Sequence, residues 1–149
     1  MRPKIEFDDK ELQRAFTEMA PKQFRTAVKA GMRKSLNIIK RRAVANYKRE
    51  YPGSNRYKAI HAKVYRTGTG AMIDLLYLPK DDGVRPYVLR FQNAGTAMRV
   101  TKAGYDRGFM SASNFFSEAV ESTKDQAQNE LMRNVNEAVV KKARKLGLT

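Results

Sequence analysis

Few residues in this 149-residue chain could make or break bonds. It has no cysteine, which removes disulfides, thiolate metal ligands and cysteine nucleophiles together. The one histidine, His61, has no carboxylate near it in sequence, so it reads as an ordinary strand residue rather than a metal ligand. Asp81-Asp82-Gly83 shares composition with a calcium loop but lacks the alternating oxygen ligands and the closing glutamate, and reads as a turn. Gly68-Thr69-Gly70 lacks the lysine and the strand-to-helix setting of a phosphate loop, and reads as a hairpin turn. No Ser/His/Asp set and no paired carboxylates stand out. The expectation is a protein that is not an enzyme, with no catalytic residue, cofactor, metal or small-molecule substrate.

What the chain does carry is charge. Thirty Lys and Arg against fifteen Asp and Glu leave a net +15, which calls for an anionic partner: nucleic acid, an acidic protein surface or anionic lipid. The excess is uneven, +8 over residues 1–50 and +7 over the remaining, much longer part. Its centre is the stretch from Pro21 to Glu50. There Lys22, Arg25, Lys29, Arg33, Lys34, Lys40, Arg41, Arg42, Lys48 and Arg49 follow one another with no acid before Glu50. Solvated helices usually mix signs for i,i+4 support, so a run of one sign repels itself and favours an anionic neighbour. The candidate contact surface is Lys22, Arg25, Lys29, Arg33, Lys34, Lys40, Arg41 and Arg42. The bland alternative is a solvated face.

The same stretch predicts the element that carries these charges. Phe24, Val28, Met32, Leu36, Ile39, Ala43 and Tyr47 step by three and four, one stripe of an α-helix. Pro21 suits its first turn, and Pro52-Gly53 ends it. About 27 helical residues within 21–50 span roughly 40 Å at 1.5 Å per residue. Before it, Asp8 and Glu11 resemble a capping box, and Leu12, Ala15, Phe16 and Met19 predict a short helix over about 9–20. Ile5 and Phe7 suit either a short edge strand or a docking tail. After it, Arg56-Tyr57-Lys58-Ala59 suits one helical turn. Apolar runs then predict strands over about 60–67, 71–78 and 86–92, the first two joined as a hairpin at Gly68-Thr69-Gly70. Residues 101–112 read as an exposed basic loop, and the wider loop 97–113, with Arg99, Lys102 and Arg107, is a candidate intersubunit or ring-to-ring contact. Phe116, Ala119, Val120, Ala127, Leu131, Val135, Ala138, Val139 and Leu146 predict a closing helix over about 114–146, acidic near its start and basic near its end, as the helix dipole favours. The whole reads as a single α+β domain, 1–149, with a small antiparallel sheet of about three to four strands packed with two long helices. Open sheet edges and apolar helix overhangs favour assembly with further copies. No 18-residue apolar stretch suggests a membrane span, and the N-terminus turns polar too soon for a secretory signal, so a cytosolic product is expected.

The order of features resembles a known family. A basic N-terminal helix leads through a Pro-Gly turn into a hairpin, then into Tyr87-Val88-Leu89-Arg90-Phe91-Gln92-Asn93-Ala94-Gly95-Thr96, a variable loop, and Asn114-Phe115-Phe116 opening a long closing helix. This is similar to the minor structural proteins of tailed bacteriophages that complete the tail or join it to the head. The matching residues are Tyr87, Gly95, Thr96, Phe115 and Phe116. The chain departs from the family pattern at Gln92-Asn93, where an acid is usual, at Asn114, where proline is usual, and at Ser54-Asn55, where Thr-Gly is usual. The resemblance implies a non-enzymatic virion protein of the neck or upper tail, made in the bacterial host cytoplasm. It would act in a ring of identical copies against neighbouring neck and tail rings, with DNA in the channel a further candidate partner. The rival reading is a non-specific nucleic-acid-binding protein using the basic helix 22–49. It has no helix-turn-helix, zinc-finger or stacking-platform signature to support it. A small basic inhibitor or toxin-like protein is a weaker third.

Overall fold

A computed structural model describes residues 21–68, 70–75 and 86–145. The expected tail at Ile5 and Phe7, the helix over 9–20 and the Asp81-Asp82-Gly83 turn lie outside these residues. Among the described residues the order is α1 (Pro21–Glu50), a 3-10 turn (Arg56–Ala59), β1 (His61–Val64), β2 (Ala71–Asp74), α2 (Pro86–Ala94) and α3 (Phe115–Lys145). The fold is α+β, mostly helical, with a two-stranded antiparallel sheet. No described helix is long and apolar enough to cross a membrane.

The sheet is smaller than the sequence suggested, because the third expected strand is a helix. The run Tyr87, Val88, Leu89 and Phe91 suggests a strand over 86–92, but the burial there follows the helical period. Leu89 and Gln92, three apart, are buried, while Tyr87 and Phe91, four apart, are exposed. A strand would have put Tyr87, Leu89 and Phe91 on one face. Pro86 sits at the first helical position, where its fixed φ and missing N–H cost nothing. The hairpin stands as expected, though β1 and β2 are each only four residues long. Its connection turns at Gly68, whose φ is +75°, with the Gly68 N–H donating to the Tyr65 carbonyl at 2.9 Å.

The described residues fall into two compact units. The first draws on 21–39, 62–73 and 123–145. In it, Val28, Met32, Leu36 and Ile39 of α1 are buried, as are Ala127, Leu131 and Val135 of α3, each set spaced by three or four. Gly31 lets the two helices close together: a Cβ there would lie 3.1 Å from the Asn134 Cβ and 3.2 Å from Leu131 Cδ1. One turn along, the buried Ser35 hydroxyl donates to the Ala127 carbonyl at 2.6 Å. That bond satisfies a polar group which would otherwise cost about 1–3 kcal/mol to bury. At the Gly31 contact itself Lys34 Nζ donates to Asn134 Oδ1 (2.9 Å), and Asn134 Nδ2 donates to the Glu130 carboxylate (2.9 Å), which also takes the Arg133 guanidinium at 2.8 Å.

The second unit draws on 40–61 and 74–122. Tyr47, fully buried, sits at its centre. The Tyr47 ring meets Phe115 edge-on at 5.0 Å and Tyr51 at 4.9 Å. Its hydroxyl donates to Gln92 Oε1 at 3.0 Å, leaving the Ser54 hydroxyl, also at 3.0 Å, to donate to the Tyr47 oxygen. Asn46 Nδ2 donates to the Phe115 carbonyl at 3.1 Å. Ala43, Ala59, Ile60, Leu89, Phe116 and Ala119 complete the core.

Two outcomes follow from the first unit. Gly31→Leu overpacks the helix contact and is expected to cost about 1–3 kcal/mol in denaturant unfolding, while Gly31→Ala changes little. The Arg133 hydrogen bond, with a second from Asn134, holds the Glu130 carboxyl below the usual carboxylate range. A depressed folded value stabilises above the unfolded carboxylate value and is lost as pH falls through the folded one. Thermal melts of wild type and Glu130→Gln should therefore be separated at neutral pH and converge in acid.

Candidate assembly surface

Four of the five residues that carry the resemblance, Gly95, Thr96, Phe115 and Phe116, lie about one junction in the second unit. Gly95 ends α2 with φ +75°, its N–H donating to the Phe91 carbonyl at 2.7 Å. A Cβ there would lie 2.8 Å from the Met110 carbonyl oxygen and 2.9 Å from the Ala112 nitrogen, so both the conformation and the space demand glycine. Thr96 then pairs with Met110 twice: its N–H donates to the Met110 carbonyl, and its Oγ1 accepts the Met110 N–H, both at 2.9 Å. Phe115 and Phe116 are buried in the first turn of α3, whereas Tyr87 lies half-exposed against Phe91, ring centroids 6.0 Å apart.

Gln92 and Asn93, read from the sequence only as departures from the family pattern, hold the junction together. The Gln92 carbonyl accepts both the Ser113 N–H (2.9 Å) and the Ser113 hydroxyl (2.7 Å), while its side chain takes the Tyr47 hydroxyl. Asn93 Oδ1 accepts the N–H groups of Phe116 (2.9 Å) and Ser117 (3.2 Å), two of the orphan donors at the start of α3. Its Nδ2 donates to Ser117 Oγ at 3.1 Å, and its carbonyl accepts the Asn114 N–H at 3.0 Å. Asn114 has φ +54°, which asparagine tolerates better than most residues. An amide pair just before Gly-Thr was the available signal: an amide can accept and donate at once, which a carboxylate cannot.

From this base, residues 96–110 form an arm. Val100 and Asp106 pair as an antiparallel bridge. The Thr101 N–H donates to the Tyr105 carbonyl (2.8 Å) and the Arg107 N–H to the Arg99 carbonyl (2.6 Å). The Arg99 N–H reaches past Arg107 to the Gly108 carbonyl at 3.1 Å, a one-residue bulge. The expected basic loop is thus an ordered hairpin. Met98, Val100, Tyr105 and Phe109 on it are 63–73% exposed. Arg99, Lys102 and Arg107 are exposed as well, with Arg99 and Arg107 facing each other across the arm.

The α1 cations divide differently. In the first unit Lys22, Arg25, Arg33 and Lys34 are exposed and Lys29 half-buried. Lys29 Nζ donates to the Arg66 carbonyl, the Arg25 stem lies against Gly68, and Lys34 is engaged by Asn134. These three serve the hairpin connection and the contact with α3. Lys22 and Arg33 make no ion pair among the described residues. In the second unit Arg41 and Arg42 are exposed and Lys40 half-buried, again with no ion pair among the described residues. Seven-residue spacing puts Arg41 in a row with Lys48 and Arg42 in a row with Arg49, so the charge wraps the helix instead of forming one stripe. Lys48 Nζ sits 4.4 Å from the Tyr57 ring centroid.

His61 opens β1 and is half-buried, and no group of three or more His, Cys, Asp or Glu suited to a metal occurs among the described residues. No family model, curated protein or solved structure matches the chain.

Asn93→Ala removes the α3 cap and should cost about 0.5–2 kcal/mol in denaturant unfolding. Gly95→Ala should cost about 1–3 kcal/mol, since it adds a backbone clash to a left-handed φ. Gly104→Ala, with φ +83° but no atom within 4 Å of the added Cβ, should cost less than Gly95→Ala.

Proposed function

We propose that this chain is a virion structural protein of a tailed phage or prophage, completing the tail or joining head to tail at the neck as one copy in a ring. The support is the order of sequence features together with the arm. An ordered hairpin that exposes four large apolar side chains and three cations is what an assembly subunit presents and what a solitary globular protein rarely tolerates. The Gly95-Thr96 pair, central to the resemblance, closes the base of that arm. The mechanism is assembly: burial of apolar surface between copies, with basic surface matched to an acidic neighbour.

The second reading, non-specific nucleic-acid binding through α1, has one observation in its favour. Lys22, Arg33, Arg41 and Arg42 are exposed cations without an ion-pair partner among the described residues. They carry no base-reading pattern, so any DNA contact would run through phosphate.

Binding of the purified chain to duplex DNA across a salt series, with its mass recorded alongside, separates the two. The assembly reading expects weak binding and a monomer or discrete oligomer by mass. Tight binding that falls steeply with salt, as six or more phosphate contacts produce, would replace it with the nucleic-acid reading.

A further inference from the structure

Six of the large apolar side chains left exposed among the described residues lie between positions 87 and 109, within the second unit: Tyr87 and Phe91 on α2, and Met98, Val100, Tyr105 and Phe109 on the arm. The arm projects, with residues 97–100 and 102–107 all exposed, so neither face has cover. A two-stranded hairpin with no covered face is marginal in water and is completed by a surface to lie on. Tyr87, Phe91 and Ala94, spaced by four and three, form an exposed apolar row along α2.

Charge favours the pairing on balance, with Arg90, exposed on α2 beside the row, the like charge that the acids of α3 must outweigh. The arm carries Arg99, Lys102 and Arg107 against Asp106 alone. Arg99 and Arg107 face each other, a like-charge pairing that destabilises a hairpin until a carboxylate comes between them. Glu118 and Glu121 lie exposed in the first turns of α3, which Asn93 ties to the end of α2. We infer that the arm docks onto the α2–α3 corner of a second copy of this chain, its apolar side chains on the Tyr87–Phe91–Ala94 row and its cations beside Glu118 and Glu121. This rests on the assembly reading and gives it a contact. In the ring of the assembly reading the contact runs head to tail rather than reciprocally, so a terminal docked copy keeps a free arm or a free corner.

The absence of cysteine makes the test specific. Full-length Phe109→Cys and Phe91→Cys variants are mixed in equal amounts and oxidised mildly. A disulfide dimer at least about tenfold above that of either variant alone is expected, with a ladder of higher oligomers from the variant carrying both changes. Adding Arg99→Glu and Arg107→Glu should abolish the cross-link, and Glu118→Arg with Glu121→Arg on the partner should restore it. Each variant is melted alone alongside: the cysteine and arm variants should stay folded with little change, because those side chains are exposed, while Glu118→Arg with Glu121→Arg should melt somewhat lower, having placed cations at the start of α3. No cross-link at about 1 mM, where even contacts of about 4 kcal/mol are populated, overturns the inference. So does an oligomer by mass that the arm substitutions leave intact, although that result leaves the ring reading standing. Arm charge reversal that weakens duplex DNA binding without changing the cross-link overturns it in favour of a nucleic-acid arm.

Discussion

A buried phenol has no water to turn to, and the second unit is arranged around that constraint. Tyr47 brings a large apolar ring into the core and, with it, a hydroxyl that must be bonded there. Gln92 accepts its hydrogen bond and Ser54 donates one to it, so one oxygen ties the end of α1 to α2 and to the chain just past the Pro52-Gly53 turn. Gln92 is thereby fixed in place, and its backbone carbonyl becomes the anchor for Ser113. The base of the arm is thus tied, through Gln92, to a residue 45 positions before Gln92 in the chain. Substituting either partner alone would strand a buried polar group, which is the expensive way to lose a hydrogen bond.

Long-period features were legible in the sequence, and short ones were legible only where a turn marked them. The seven-residue stripe of α1 and the three-and-four spacing of α3 identify both helices, because a regular period sustained over eight turns has no strand counterpart. The β1–β2 hairpin was legible from Gly68. Residues 86–92 read as a strand because a dense apolar run, Tyr87, Val88, Leu89 and Phe91, fits a buried strand and a short helix equally well. The deciding fact, that Tyr87 and Phe91 stay outside while Leu89 goes in, depends on tertiary packing. The arm was recognised as exposed and basic, but its apolar residues, alternating with Arg and Thr, did not announce that neither face would be covered.

The basic character of α1 proves to be heterogeneous. Lys34 and Lys29 spend their charge on carbonyl and amide oxygens of the first unit, and Arg25 packs its stem against a glycine. Arg33, Arg41 and Arg42 remain turned to solvent. A run of like charges in sequence thus mixes structural hydrogen-bond donors with field-generating surface, and only the second kind bears on long-range attraction of an anionic partner. The arm concentrates the same chemistry differently, placing cations and apolar side chains together on a narrow projection.

The arm leaves the body and returns to it at neighbouring points: Gln92 holds Ser113, and Asn93 holds Asn114. Everything between is a closed excursion whose ends are already pinned. Its length is therefore decoupled from the core. Closing a flexible segment twice as long costs only about 0.6 kcal/mol more, and no buried residue need move to allow it. Insertions and deletions between Thr96 and Met110 can tune how far the arm reaches while the helices and their contacts stay as they are. In this fold, reach is a quantity that can vary at almost no expense to stability.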